Sequence, residues 1–185
     1  MTLKVLAISG SLRKASFNTL ALRAAAELAP AGMEVTLFEA MRDIPLYDDD
    51  IRAGAGYPAP VAAFRAAIKA ADAVVMATPE YNFSISGVLK NAIDWASRVP
   101  DQPFDGKPVA IMGAATGLYG TARAQYDLRK ILGGINAHVL NKPEVLIGQA
   151  ASKFDAEGRL TDETARGLIG QQMVALRDWT LRLRG

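Results

Sequence analysis

Gly10-Ser11-Leu12-Arg13-Lys14-Ala15-Ser16-Phe17-Asn18-Thr19 gathers groups suited to holding a phosphate. The run lies between an apolar segment and a helical pattern, so its amides and the helix N-terminus can meet an anion. A helix end offers only about half a positive charge. A phosphate monoester carries about −1.5 to −2, so a cation is needed. Arg13 supplies it as a planar fork matched to phosphate oxygens. The hydroxyls of Ser11, Ser16 and Thr19 and the Asn18 amide add neutral donors. Two other phosphate loops are excluded. Gly10 is the only glycine of the turn, so Gly-x-Gly-x-x-Gly is absent, and Lys14 precedes Ala15, so Gly-Lys-Ser/Thr is absent. No pocket of acids follows the first strand, which argues against a response-regulator receiver. The same residues also read as a plain polar connection with Asn18 as helix N-cap.

Thr78-Pro79-Glu80-Tyr81-Asn82-Phe83-Ser84 leaves a second apolar run. Pro79 stiffens the exit and lacks a donor of its own. The amides that follow can meet the polar edge of a flat heterocycle, and Tyr81 offers an aromatic face. A capped turn with Ser84 as N-cap is the competing reading. Gly113-Ala114-Ala115-Thr116-Gly117-Leu118-Tyr119-Gly120 is a third loop, readable also as a flexible glycine turn.

Most other chemistries are excluded by composition. The 185 residues include no cysteine and one histidine, His138. Disulfides, thiolate nucleophiles, Fe–S clusters and multi-histidine metal sites are therefore absent. His138 reads as a partly buried strand residue. Asp48-Asp49-Asp50 reads as a solvated loop, because adjacent side chains in extended chain diverge. Ser84-Ile85-Ser86-Gly87 lacks the first glycine of a nucleophile elbow, and Trp95 reads as helix packing. The net charge of +2 and pI near 8.9 give no basic stripe for nucleic acid. No run is long and apolar enough for a membrane span, and no signal peptide is visible. The expectation is a cytoplasmic protein that imports its chemistry as a cofactor.

The elements that must position these loops alternate. Strands are read at Leu3–Ile8, Glu34–Phe38, Ala73–Ala77, Val109–Met112 and Ala137–Leu140. Helices are read from Asn18 to Pro30, from Pro60 to Ala71, over Ser84–Arg98, over Gly120–Leu132 and from Thr161 onward. Glu39–Pro58 reads as a long loop. Half the residues are apolar, and the strands are continuous apolar runs, so both sheet faces are covered. The expected fold is α/β: one domain, residues 1–185, with a doubly wound five-stranded parallel sheet ordered 2-1-3-4-5. In such sheets ligands bind outside the carboxyl ends of the strands, near the switch point between strands 1 and 3. That places the three loops together.

Taken jointly, these motifs carry a resemblance. Gly10-Ser-Leu-Arg-x-x-Ser-Phe-Asn18, Pro79-Glu-Tyr-Asn-x-Ser and Leu89-Lys-Asn-Ala-Ile-Asp-Trp95 resemble the NADPH-dependent FMN reductase family, in its chromate and quinone reductase branch. The likeness continues through Asp43-Ile-Pro-Leu-Tyr47, Thr121–Arg129 and Asn141-Lys-Pro-Glu144. It implies a flavodoxin-like fold binding FMN, with NADPH or NADH as electron donor. Ser11, Arg13, Ser16, Phe17, Asn18 and Thr19 would hold the phosphate. Pro79, Glu80, Tyr81 and Asn82 would hold the ring, as would Ala115, Thr116 and Gly117. The family often has a serine where this chain has Ala115, so one hydroxyl contact is missing; Thr116 or a backbone amide would replace it. No side chain is required as a catalytic acid or base. The resemblance also implies a small-molecule acceptor such as a quinone, chromate, a ferric complex or an azo compound. It implies homodimers or homotetramers, with Arg123, Tyr126 and Glu144 at a dimer–dimer contact and Glu39–Pro58 near a partner's site. The competing reading is a flavodoxin-like electron carrier or flavin-binding regulator without turnover, against which the basic pI argues by family analogy.

Overall fold

The computed structural model describes residues 2–185. Six strands form one parallel sheet: β1 (Leu3–Ser9), β2 (Met33–Leu37), β3 (Ala73–Ala77), β4 (Pro108–Ala114), β5 (His138–Val139) and β6 (Val145–Ile147). Their order is β2-β1-β3-β4-β5, with β6 also paired to β4. The fifth place in the sheet is thus shared: β5 registers on Pro108 and Val109, and β6 on Met112, Gly113 and Ala114. The sequence reading expects one strand there, Ala137–Leu140. Two short pieces separated by Leu140-Asn141-Lys142-Pro143-Glu144 carry too few residues to show a period of two. Two buried glutamines hold the interruption in place. Gln172 Nε2 donates to the carbonyls of Ile111 and Pro143, at 3.0 Å each, and Gln125 Nε2 donates to Val145 O at 2.9 Å.

The helices are α1 (Phe17–Glu27), α2 (Asp49–Ala55), α3 (Ala59–Ala70), α4 (Gly87–Ala96), α5 (Ala122–Gly134) and α6 (Glu163–Arg184). Alternate strand residues feed two apolar layers. Leu6, Ile8, Val74, Met76, Val109 and Ile111 pack on one side with Phe64, Ile68, Trp95 and Leu128, from α3, α4 and α5. Val5, Ala7, Val75, Ala110 and Met112 pack on the other with Ala21, Leu22, Ile169 and Met173, from α1 and α6. No helix among the described residues is long and apolar enough to cross a membrane.

Three local expectations are corrected. Ser16, not Asn18, caps α1; its hydroxyl accepts from Thr19 N at 3.5 Å. Ser86, not Ser84, caps α4, accepting from Leu89 N at 3.2 Å. Glu39–Pro58 is not loop throughout: it contains a 3₁₀ turn over Ala40–Asp43 and the helix α2. No residue of α2 is buried, so no apolar stripe announces it. The three aspartates sit at its start instead. Asp48 accepts from Asp50 N at 2.9 Å, and Asp49 pairs with Arg52 at 2.7 Å, where carboxylates favour the helix dipole.

Candidate functional site

The loops that follow β1, β3 and β4 meet at the carboxyl end of the sheet around a cleft of about 240 Å³. Ser11, Arg13, Ser16, Phe17, Asn18, Pro79, Glu80, Tyr81, Ala115 and Thr116 line it, joined by Ala114, which sequence reasoning missed. Thr19, Asn82 and Gly117 stand behind or beside the lining. Two glycines allow the convergence. A Cβ on Gly10 would lie 3.2 Å from Leu89 Cβ and from Ser86 Oγ, and Ser86 Oγ donates to Gly10 O at 2.6 Å. A Cβ on Gly113 would collide with Thr121 Oγ1 and lie 2.7 Å from Thr78 O. A wider groove of about 760 Å³ runs along the outer face of α6 between Leu28 and Asp178. It lies away from these loops, and none of the residues singled out in them lines it.

The first loop is a cradle of donors that could receive an anion. The amides of Phe17 and Asn18 open α1 and have no intramolecular partner among the described residues. They are the orphan donors that every helix start leaves. Arg13 folds over the cradle: its Nη2 donates to Ala15 O at 2.6 Å, and its Cζ lies 5.1 Å from the Phe17 ring centroid. The Phe17 ring leans the other way, 5.3 Å from that of Phe154. Thr19 Oγ1 is bonded to Ser9 Oγ at 2.8 Å, beneath the cradle. The Asn18 side chain is largely committed elsewhere. Its Nδ2 donates to Ala114 O and its Oδ1 accepts from Ala114 N, both at 2.9 Å. It is a strut between α1 and the end of β4, so its backbone amide is the donor it presents to a ligand.

The second loop is tied to α5. Thr121, at the N-cap of α5, makes no side-chain cap bond. The Glu80 carboxylate takes that role, accepting from Arg123 N at 3.0 Å, Ala124 N at 3.2 Å and Arg123 Nε at 2.5 Å. Its side chain is 7% exposed, so the main chain of Glu80 is what faces the cleft. The same arrangement removes the one acidic side chain that would repel a phosphate. Tyr81 and Ser84 exchange backbone bonds of 3.0 and 3.1 Å. The residues between them, Asn82 and Phe83, have φ of 50° and 70°. Lys130 pairs with the Asp127 carboxylate at 2.6 Å and is the chief cause that holds it below its usual range.

The third loop answers the question of the missing serine. Ala115 N donates to Ile147 O and Ala115 O accepts from Ala150 N, both at 3.0 Å. The Ala115 amide is therefore not free to replace a hydroxyl, and Thr116, exposed beside it, is the remaining donor. Gly117 O accepts from Gln149 N at 2.9 Å. Of the other polar residues singled out, Arg123 pairs with Glu80, Tyr126 is exposed on α5, and Glu144 pairs with Lys142 at 2.9 Å.

A helix-start cradle with a covering arginine, set beside an aromatic at the β1/β3 switch point, fits a flat cofactor that ends in a phosphate. Residues 3–152 match the family model of NADPH-dependent FMN reductases. The chain belongs to this family. As a family member it is an oxidoreductase of flavodoxin-like fold, with FMN and a reduced nicotinamide nucleotide as cofactors. This reductase is 57% identical over 183 residues to an NAD(P)H-dependent FMN reductase of Pseudomonas aeruginosa, covering 99% of this chain and 98% of that one. It is 45% identical over 183 residues to a quinone reductase of Escherichia coli, covering 98% and 97% of the two chains. Among solved structures, the flavoenzyme NAD(P)H:(acceptor) oxidoreductase FerB from Paracoccus denitrificans superposes with a TM-score of 0.87 at 36% identity, over 98% of each chain.

Proposed function

We propose that this reductase carries reducing equivalents from NADH or NADPH to a quinone through FMN held in the cleft, with chromate, ferric complexes and azo compounds as further acceptors. The observation that carries the reading is the cradle itself: two unpartnered amides at the start of α1, covered by Arg13 and opening onto Tyr81. In this reading the FMN phosphate meets the amides of Phe17 and Asn18, the hydroxyls of Ser11 and Ser16, and Arg13. Thr19 supports the cradle from beneath. The main chain from Pro79 to Asn82, the Tyr81 ring, Thr116 and the backbone beside it at Ala115 and Gly117 receive the isoalloxazine. The bound flavin supplies two-electron chemistry, and the protein binds, orients and shields it. No side chain acts as catalytic acid or base.

The names of the relatives support the acceptor class. Turnover is ping-pong: with one open side to the cleft, oxidised nicotinamide leaves before the acceptor enters. The chain acts as one domain, in the cytoplasm, as a homodimer or homotetramer, without nucleic acid or membrane. Initial rates of the FMN-loaded protein over a grid of NAD(P)H and quinone concentrations test this. Parallel double-reciprocal lines are expected. Intersecting lines with a detectable ternary complex would overturn the shared site. Absence of turnover with FMN bound would return the protein to the carrier class.

A further inference from the structure

The loop after β4 carries two amides that no other group in the chain uses. Thr116 N and Gly117 N have no intramolecular partner among the described residues, and Thr116 lines the cleft. The same loop is held along its other side. The parallel register of β4 on β6 ends at Ala114 and Ile147, yet main-chain pairing runs on beyond both strands. Ala115 N donates to Ile147 O and Ala150 N to Ala115 O, both at 3.0 Å, and Gln149 N donates to Gly117 O at 2.9 Å. Gly148 sits in the middle of this pairing and is buried. A Cβ there would collide with Leu118 O and lie 2.8 Å from Leu118 C. The φ of Gly148 is not left-handed, so the backbone itself would accept alanine, and the obstacle is the facing loop alone. That obstacle is main chain, which cannot swing aside as the tip of a side chain can. From the loop's side, a Cβ on Gly120 would lie 3.1 Å from Ile147 N. Two missing side chains thus let the two main chains touch, and the contact fixes the loop.

We propose that Gly148 is a positioning residue for the isoalloxazine ring: by admitting the loop against the end of β6, it holds the amides of Thr116 and Gly117 ready at the cleft. The inference rests on the FMN site given above. A flavin gains negative charge along the polar edge of its ring on reduction, so fixed amides that meet this edge favour the reduced form. Gly148 touches no ligand, yet it contributes to ring affinity and to the flavin potential. The phosphate is held by a different loop, so the effect of Gly148 does not depend on it.

The test is Gly148→Ala, read by fluorescence titration of FMN and riboflavin and by the midpoint potential of the bound FMN. The added methyl group pushes the loop back from β6. Both Kd values should rise about tenfold, the scale of one or two weakened neutral hydrogen bonds. They should rise by the same factor, because riboflavin has the ring without the phosphate. The potential should move to a more negative value. Gly167→Ala, where a Cβ meets open space on α6, should change none of these. Hydrogen exchange of the wild type gives a reading that needs no variant to fold. Gln149 and Ala150 amides should be protected with and without flavin, and Thr116 and Gly117 amides only with it. Unchanged affinity and potential in a folded Gly148→Ala protein would overturn the positioning role and leave the FMN site standing. Thr116 and Gly117 amides that exchange equally fast in both states, or a loss confined to FMN, would overturn it as well. A wild type that binds neither flavin would refute the FMN site itself, and the role of Gly148 with it.

Discussion

Asn18 and Glu80 show how residues facing a cleft can be structural first. Asn18 joins α1 to β4 through a reciprocal pair of bonds to Ala114 and is 4% exposed. Asn18→Leu would leave a buried N–H and a buried carbonyl without partners, a loss of about 2–4 kcal/mol. A fall in the urea midpoint measures it, and the apo protein should show the same fall. Arg13 is the opposite case, since its local bond to Ala15 is exposed and contributes little to the fold. Arg13→Ala should leave stability intact and weaken FMN roughly 10- to 150-fold, the range for one charge-assisted hydrogen bond. Riboflavin, which lacks the phosphate, should lose little affinity. Fluorescence titration of both flavins separates the two cases, and equal losses would show that Arg13 does not reach the phosphate. The types and spacing of these residues point to a candidate anion site in sequence, which the two titrations test. The division of labour among them was hidden, because it depends on Ala114, almost a hundred residues downstream of Asn18.

At the scale of elements, the doubly wound order was legible because each central strand is a continuous apolar run bounded by turn residues. Helices with a buried stripe were legible for the matching reason. What escaped were elements without that signal: α2, which buries nothing, and the break between β5 and β6, which Gln125 of α5 and Gln172 of α6 hold at Val145 and Pro143. The start of α4 was misplaced because Ser84 and Ser86 are equally good caps in sequence. The turn at Asn82 and Phe83 decides between them. α2 yields a prediction of its own. The Asp49 carboxyl lies below its ordinary value, chiefly through bonds from Arg52 and Tyr47. A group with a depressed folded pKa stabilises above its unfolded value, and loses that contribution as pH falls through the folded one. Amides of Arg52 to Ala55 should therefore lose hydrogen-exchange protection below about pH 4, before the sheet does. Asp49→Asn should remove the pH dependence. Protection that falls in step with β3 and β4 would show that α2 is not an independent unit.

The whole molecule exposes apolar side chains around the mouth of its cleft. Leu46, Tyr81, Phe83, Leu118 and Tyr119 are 83%, 55%, 67%, 67% and 69% exposed. All lie on segments that leave the carboxyl ends of β2, β3 and β4. Scattered exposed apolar residues are ordinary, but several large ones on segments at one end of the sheet suit association. Leu46 stands on a segment anchored firmly from behind: Tyr47 N donates to Asn91 Oδ1 at 2.8 Å, and Trp95 Nε1 donates to Pro45 O at 2.9 Å. A leucine held rigidly in solvent gains nothing for its own chain, whereas against a second copy it would bury its whole side chain, about 1.5–3 kcal/mol per site. A symmetric dimer uses each such site twice. Leu46→Glu should therefore weaken self-association by roughly two such contacts, a hundredfold or more in the dimer constant. The fold should remain unchanged, because nothing in the core touches this side chain. Sedimentation velocity of the FMN-loaded protein over a wide concentration range reads the effect. The expected result is a dimer or tetramer for the wild type and a concentration-dependent mixture for the variant. A wild-type monomer at every concentration would leave the apolar rim to substrates alone and remove the basis for placing Glu39–Pro58 near a partner's site.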